Sequence, residues 1–385
     1  MVAAVRRGSP LRDVARHFGV ALSTVQLWVA RAGSQRLDRV DWADRPDGPA
    51  RPANRSSQEL EDLVLTTRRE LKETSDLGEF GGRAIRHALE ARGQRPVPAV
   101  STINRILDRR GALDGHRRVR RPAPPPGWYL PDVAAGGAEL DSVDIVEGLV
   151  IRGGPQVEVL NATSLHGGLV GSWPMAAPVT AKAVVEALVG RWRADGLPGY
   201  AQFDSDTIFQ GPHQYKDVVG RVMRLCLNLG VVPVFAPPRE TGFQAAIESL
   251  NGRWQAKVWA RFTHESLDGL AACSGRYVAA TRVRAAARIE AAPPRRPFPE
   301  GWHLDLQARP RGRIVYLRRT SEQGGVELLG RRFAVNASWA HRLVRAEVDL
   351  DAGRVRFHAL RRREPGRQPL LHEVAYRLPH RRFKE

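Results

Sequence analysis

Tyr200-Ala-Gln-Phe-Asp204-Ser-Asp206-Thr-Ile-Phe209-Gln-Gly211 reads as a short strand running into a polar turn, which leaves Asp204 at a strand end. A helix-like segment and the apolar run Val231-Val-Pro-Val-Phe235 follow. Pro237-Pro238 then breaks the chain before Glu240-Thr-Gly-Phe-Gln-Ala-Ala-Ile-Glu248-Ser-Leu-Asn251-Gly-Arg-Trp-Gln255. In this second stretch Phe243, Ile247, Leu250 and Trp254 recur at helical spacing and predict a buried stripe. Glu248, Asn251 and Gln255 fall on a polar stripe one residue over. Two carboxylates are thus expected on rigid elements at the border of one core.

Working outward toward the N-terminus, Glu139-Leu-Asp141-Ser-Val-Asp144-Ile-Val is a strand candidate in an alternating context, and Gln156-Val-Glu-Val-Leu160 to Gly171 is the next. Thr180 to Arg193 predicts an amphipathic helix with Val184, Val185, Leu188, Val189 and Trp192 on one side. The order strand, strand, helix, strand, helix, strand, helix describes an α/β core. A third strand is only weakly signalled, near Gly168 to Trp173.

Composition restricts the partner. The 385 residues are long enough for two to four domains, and the formal net charge is +19. A chain this basic gains affinity for polyanions by releasing counterions from phosphates, so nucleic acid is the first candidate. Cys226 and Cys273, the only cysteines, sit in apolar helical contexts and read as reduced core residues; neither secretion nor a structural zinc site is suggested. The N-terminus is too short in its apolar part for a signal peptide, and no run approaches membrane-spanning length. The expectation is a cytoplasmic, nucleoid-associated protein with no membrane partner.

The phrases Gln202-Phe-Asp204-Ser-Asp-Thr-Ile-Phe209-Gln-Gly211 and Pro237-Pro-Arg-Glu-Thr-Gly-Phe-Gln-Ala-Ala-Ile-Glu248-Ser-Leu-Asn251-Gly-Arg-Trp resemble the second and third acidic motifs of integrase-core (DDE) transposases of bacterial insertion sequences. The resemblance implies a ribonuclease-H-like catalytic core over residues 132–292 and two divalent ions, Mg²⁺ or Mn²⁺. It also implies a homo-oligomer on double-stranded DNA, with terminal inverted repeats and a target as substrates. The first acid of such a site lies on the first strand. Asp141 is chosen and Asp144 is the alternative, because strand alternation sends the two to opposite faces. The expected triad is then Asp141 bridging both ions, Asp204 on one and Glu248 on the other. Such a site lets water free a 3′-hydroxyl that next attacks target DNA. Asn251, one turn from Glu248, would contact a phosphate or a metal-bound water. Some positions depart from the family pattern. Ser205 stands where Asn is usual, and the gap between Asp204 and Glu248 is long, implying an insertion between Pro212 and Val231. Gln255 stands where relatives often carry Lys, and Lys257 is placed on the far side of the helix.

The flanks predict nucleic-acid modules. Residues 1–37 fit a helix-turn-helix, with Ala15, Gly19, Val25 and Trp28 at the packing and turn positions, Leu11, Val14, Phe18, Val20 and Val29 completing the apolar set, and Ser23, Thr24, Gln26 and Arg31 as groove readers. Ala21 stands where a capping Ser or Thr is frequent. Residues 56–112 form a second helical module, entered through a capping box at Ser56-Ser-Gln-Glu59 and ending in a reader helix with Ser101, Thr102, Asn104 and Arg105. The Pro-rich basic run with Arg117, Arg118, Arg120 and Arg121 is expected to lie extended along phosphates. Residues 302–385 show short strands with Gly turns and predict a small C-terminal β-barrel. The fold class expected is therefore multidomain, with all-α modules, an α/β core and a barrel. An active transposase is the first reading. A catalytically inactive, transposase-derived sequence-specific DNA-binding protein is the alternative.

Overall fold

The computed structural model describes residues 1–43, 55–75, 80–113, 126–212, 215–362 and 364–383. The basic run Arg117, Arg118, Arg120 and Arg121 and most of the first linker lie outside the described residues. The chain divides into two compact units, Met1–Glu61 and Asp62–Glu385.

In the first unit, α1 (Val2–Arg6), α2 (Leu11–Phe18) and α3 (Leu22–Ala32) pack around Val14, Ala15 and Val25. Gly19 ends α2 at φ 64°, a left-handed conformation that costs glycine little, and the Val20 N–H returns to Ala15 O at 3.1 Å. Ala21 gives α3 no side-chain cap. Phe18 is exposed, contrary to expectation. Trp28 packs in a separate small cluster with Val2, Ala32 and Val40 and lies 5.6 Å from the Trp42 ring.

The second unit begins within α4 (Gln58–Thr74), whose residues from Asp62 on pack with α5 (Gly82–Ala91) and α6 (Val100–Arg109) around Val64, Ile85, Leu89, Ile103, Ile106 and Leu107. The expected cap of α4 forms at Ser57, whose Oγ accepts the Leu60 N–H at 3.3 Å. A short helix, α7 (Pro131–Ala134), leads into the main sheet. Its strands are β1 (Leu140–Val150), β2 (Gln156–Ser164), β3 (Val170–Ala176), β4 (Tyr200–Phe203), β5 (Val232–Phe235), β6 (Arg313–Arg319), β9 (Leu343–Asp349), β10 (Arg354–Ala359) and β11 (Leu370–Ala375). A separate hairpin pairs β7 (Gly325–Leu328) with β8 (Arg331–Ala334). The nine-stranded order is β11-β10-β9-β6-β5-β4-β1-β2-β3. β1, β2 and β3 run antiparallel, whereas β4 and β5 join parallel to β1 through the crossover helices α8 (Ala181–Asp195) and α10 (Arg221–Asn228).

Val143, Leu160 and Ala162 of the sheet share one core with Val184, Leu188 and Trp192 of α8 and Val222, Leu225 and Cys226 of α10. Val146, Val157, Val159 and Val170 share another with Ile247, Leu250 and Trp254 of α11 (Ala245–Trp254) and with Leu270 and Cys273 of α12 (Leu267–Arg284). The short α9 (Thr207–Gln210) follows β4, and α13 (Ala286–Glu290) follows α12. The weakly signalled third strand is β3. Gly171 makes room for the Trp173 ring there, since a Cβ would lie 2.4 Å from the ring as it stands. That glycine, with Pro174, interrupts the usual strand pattern.

Two expectations are corrected. The C-terminal strands occur where predicted but do not form a separate barrel: β6 pairs parallel with β5 (Val234↔Val315, Phe235↔Tyr316) and continues the core sheet. The cause is burial on both faces, because Ile314 and Tyr316 enter one cluster while Val315 and Leu317 enter another. The core also begins before residue 132. Trp128, Tyr129 and Leu130 are buried, and the Tyr129 hydroxyl donates to Gln202 Oε1 (2.9 Å) or the Phe243 carbonyl (3.1 Å). Among the described residues no helix is long and apolar enough to cross a membrane.

Candidate active site

Strand register decides which acids meet. β1 and β4 are parallel with Ser142 opposite Gln202, and continuing two residues along both strands brings Asp144 beside Asp204. The odd-numbered neighbour Asp141 points to the other face. It is fully buried against α8, where Arg191 Nε donates to Oδ2 at 2.9 Å and Trp192 Nε1 donates to Oδ2 at 3.2 Å. Arg295 Nη2 donates to both its oxygens at 2.7 Å. Burial pushes this carboxyl up, but the Arg191 and Arg295 charges and hydrogen bonds outweigh it and hold it at about 2. Asp141, the residue chosen from sequence, is therefore enclosed by arginines away from Asp204, whereas Asp144, the alternative, lines one cleft with Asp204.

Asp144 Oδ2 accepts from Asn251 Nδ2 at 2.8 Å, and Asn251 Oδ1 accepts from Asn161 Nδ2 at 2.9 Å. Asn161 is the residue facing Asp144 across β2. Asn251 thus spends its amide on tying α11 to β1 and β2, rather than standing free on the helix surface. Glu248, one turn earlier on α11, is exposed. Burial first, then the Asp204 charge and, more weakly, Glu248, push the Asp144 carboxyl up to about 6. Asp204 is also raised, chiefly by burial and further by Asp206 and Glu147. The Asp206 N–H donates to Asp204 Oδ1 at 3.0 Å, and Asp206 in turn caps α9 by accepting the Ile208 N–H at 2.8 Å. A cleft of about 540 Å³ is lined by Asp144, Glu147, Glu158, Asp204, Asp206 and Thr180 among others. Glu147 and Glu158 were missed from sequence because no spacing rule connects separate strands.

The donor chemistry fits divalent ions. The strongest charges acting on Asp144 and Asp204 are carboxylates and no cation is among them, so the site carries uncompensated negative charge on hard oxygens. As the side chains stand, no three His, Cys, Asp or Glu of the described residues are close enough to hold a metal ion together. Glu147, Asp206 and Glu248 are exposed, whereas Asp144 and Asp204 are half-buried.

Beyond the acids, α11 runs into a π-helical turn, Gln255–Trp259. Lys257 on this turn lies 5.3 Å from the Phe80 ring, which also receives Arg68 and Lys72. Burial and the neighbouring Arg261 lower the Lys257 ammonium. Arg261 donates to the carbonyls of Lys72 and Glu73 (3.0 Å each) and Ser75, closing the C-terminal end of α4. Of the groove readers, Ser23 and Gln26 are exposed on α3 and Thr24 is half-buried, whereas Arg31 is turned inward. Its Nη2 donates to Ala43 O at 2.5 Å and its guanidinium covers Trp28, so Arg31 is a packing residue. On α6, Ser101, Asn104 and Arg105 are exposed and Thr102 is half-buried. Asn104 packs closely on Gly82, where a Cβ would lie 2.3 Å from Asn104 Oδ1.

No family model and no curated protein matches the chain. Among solved structures, the catalytic core domain of BIV integrase aligns with 37% of this chain and 81% of its own length at 15% identity and a TM-score of 0.26. A chain of the simian T-cell lymphotropic virus intasome in complex with PP2A regulatory subunit B56 gamma aligns with 70% of this chain and 87% of its own at 13% identity and a TM-score of 0.32.

Proposed function

We propose that the protein is a DNA transposase or integrase with a ribonuclease-H-like core, in which Asp144, Asp204 and Glu248 form the acidic triad. One observation carries the proposal: Asp144 of β1 and Asp204 at the end of β4 line one cleft, and the charges of Asp204 and, more weakly, of Glu248 on α11 both act on Asp144. A mixed sheet with three antiparallel strands followed by parallel crossovers, and the acidic phrases around Asp204 and Glu248, support the same reading.

Two bound Mg²⁺ or Mn²⁺ ions would neutralise the scissile phosphate, activate the attacking oxygen and stabilise the leaving one. Asp144, Asp204 and Glu248 would hold them. Asn251 keeps the Asp144 carboxylate in place through its amide, and the Asp206 N–H does the same for Asp204. Because Asp144 and Asp204 sit on adjacent strands, their spacing is set by the sheet and costs no side-chain ordering at the moment of reaction. Glu248 would join them from its exposed position on α11. The reaction proposed is cleavage at the element's terminal repeats followed by strand transfer, on an oligomer assembled on DNA and using the exposed faces of α3 and α6 for recognition.

The test is metal-dependent nicking and joining of duplex DNA by the purified full chain. Asp144→Asn, Asp204→Asn and Glu248→Gln should each abolish both steps while retaining DNA binding. Retained cleavage by the Asp144 variant would overturn the triad. DNA binding with no cleavage by the unaltered protein would favour the catalytically inactive alternative.

A further inference from the structure

A second cavity, of about 890 Å³, borders the Asp204 turn through Ser205 and the loop before α11 through Pro238. Its other walls are β6 and the β7–β8 hairpin. Three arginines line it. Arg319 is neutralised by Glu240 at 2.5 Å and Arg332 by Glu327 at 2.8 Å. Arg318 has no carboxylate partner among the described residues. Its Nη1 donates to the carbonyls of Leu317 (2.9 Å), Ala236 (3.2 Å) and Phe235 (3.4 Å), and its guanidinium lies 5.1 Å from the Tyr316 ring. These contacts fix the group in position and leave its charge unpaired. Burial lowers Arg318 to about 10, in keeping with a cation that lacks a counter-ion. Val326, Leu328, Leu329 and the half-buried Phe333 give the cavity an apolar floor, with Ser321, Glu322 and Gln323 at the rim.

A held cation beside an apolar and aromatic floor matches a group that is anionic at one end and flat at the other. The volume falls in the range of small-ligand sites and is too small for duplex DNA. We infer that this cavity binds one unpaired nucleotide of the DNA strand passing the acids, with its phosphate on Arg318 and its base on Phe333. The inference rests on the proposed DNA-processing role. It adds that the protein draws a nucleotide out of the stack, or takes a single-stranded flank, next to the cleavage point. Such capture holds the strand beside the Asp204 turn and favours ends that are frayed or already single-stranded.

The test uses the metal-free full chain and fluorescence anisotropy with three labelled probes: a blunt duplex, the same duplex with a two-nucleotide single-stranded flank, and that flank made abasic. A free single-stranded trinucleotide is a fourth probe. Base stacking on an aromatic side chain predicts about tenfold tighter binding of the flanked duplex than of the blunt one, with the abasic flank in between. Ala334→Trp, an exposed position on the cavity wall, should bring the flanked-to-blunt ratio to about one and remove trinucleotide binding; Arg318→Gln should do the same. Equal affinity of the unaltered protein for flanked and blunt duplexes, or a ratio unchanged in Ala334→Trp, would overturn the inference. Failure to bind the blunt duplex would count against the DNA-processing role instead, and trinucleotide binding that is lost in Ala334→Trp would still support the cavity.

Discussion

Asp144→Asn should stabilise the metal-free protein at neutral pH while destroying its activity. The unaltered carboxyl is raised from 3.8 to about 6, by burial first and then by the Asp204 and Glu248 charges. The folded state therefore holds this proton more tightly than the unfolded state, and stability falls as pH rises from about 4 to about 6. At about 1.4 kcal/mol per pH unit, the penalty above that window is roughly 3 kcal/mol. Asparagine removes the charge and keeps an oxygen for the Asn251 amide, so the variant should unfold several degrees higher near pH 7.5 in EDTA, at roughly 2–4 °C per kcal/mol. At about pH 4 the two proteins should unfold together. Asp141→Asn should do the reverse. It leaves Arg191, which has no exposed side-chain surface, with only the longer 3.8 Å contact to Asp195 as counter-charge, and breaking a buried pair typically costs about 3–5 kcal/mol. Because Asp141 is held at about 2 rather than 3.8, its stabilisation is complete above about pH 4 and is lost as pH falls through about 2. The assay is thermal unfolding followed by circular dichroism across this pH range. An Asp144→Asn variant that is no more stable than the parent near pH 7.5, or an Asp141→Asn variant that matches the parent, would refute the division of the two aspartates between site and scaffold.

Saturating Mg²⁺ should raise the unfolding temperature of the unaltered protein and leave that of Asp144→Asn unchanged, since a ligand stabilises only the state that binds it. A catalytic fragment should start at or before residue 127 and extend to the end of β11; one that starts at Pro131 loses Trp128, Tyr129 and Leu130 from the core and should be recovered largely insoluble, as a solubility comparison of the two would show. Gly19→Val should weaken end-specific DNA binding in gel-shift titrations and leave metal-dependent nicking intact, because a β-branched side chain strains the left-handed turn between α2 and α3. Affinity for duplex DNA should fall steeply with salt, with a log–log slope of roughly −0.9 per phosphate neutralised; a flat dependence would contradict a binding mode built on the +19 charge.

By itself the sequence determined most of the elements, and with them the positions of Asp204 at a strand end and Glu248 on a helix. Periodicity placed α2, α3, α8 and α11, with the exposed Phe18 of α2 the exception to their apolar stripes, and the strand-to-turn break after Phe203 placed Asp204 at the end of β4. Such signals are local, since a helix or a turn is specified by residues a few positions apart. The face that each aspartate of β1 takes was not local. Asp141 and Asp144 lie on one strand in equally plausible alternation, and the choice between them depends on which face of β1 receives α8 and which receives α11. Arg191 from α8 and Arg295 from beyond α13 enclose Asp141, and Asn251 from α11 engages Asp144. None of these partners is near either aspartate in the chain. The missing barrel has the same origin: the strands were legible, but strand pairing is a long-range property, and apolar residues on both faces of β6 made the core sheet, rather than a closed barrel, the arrangement that buries them.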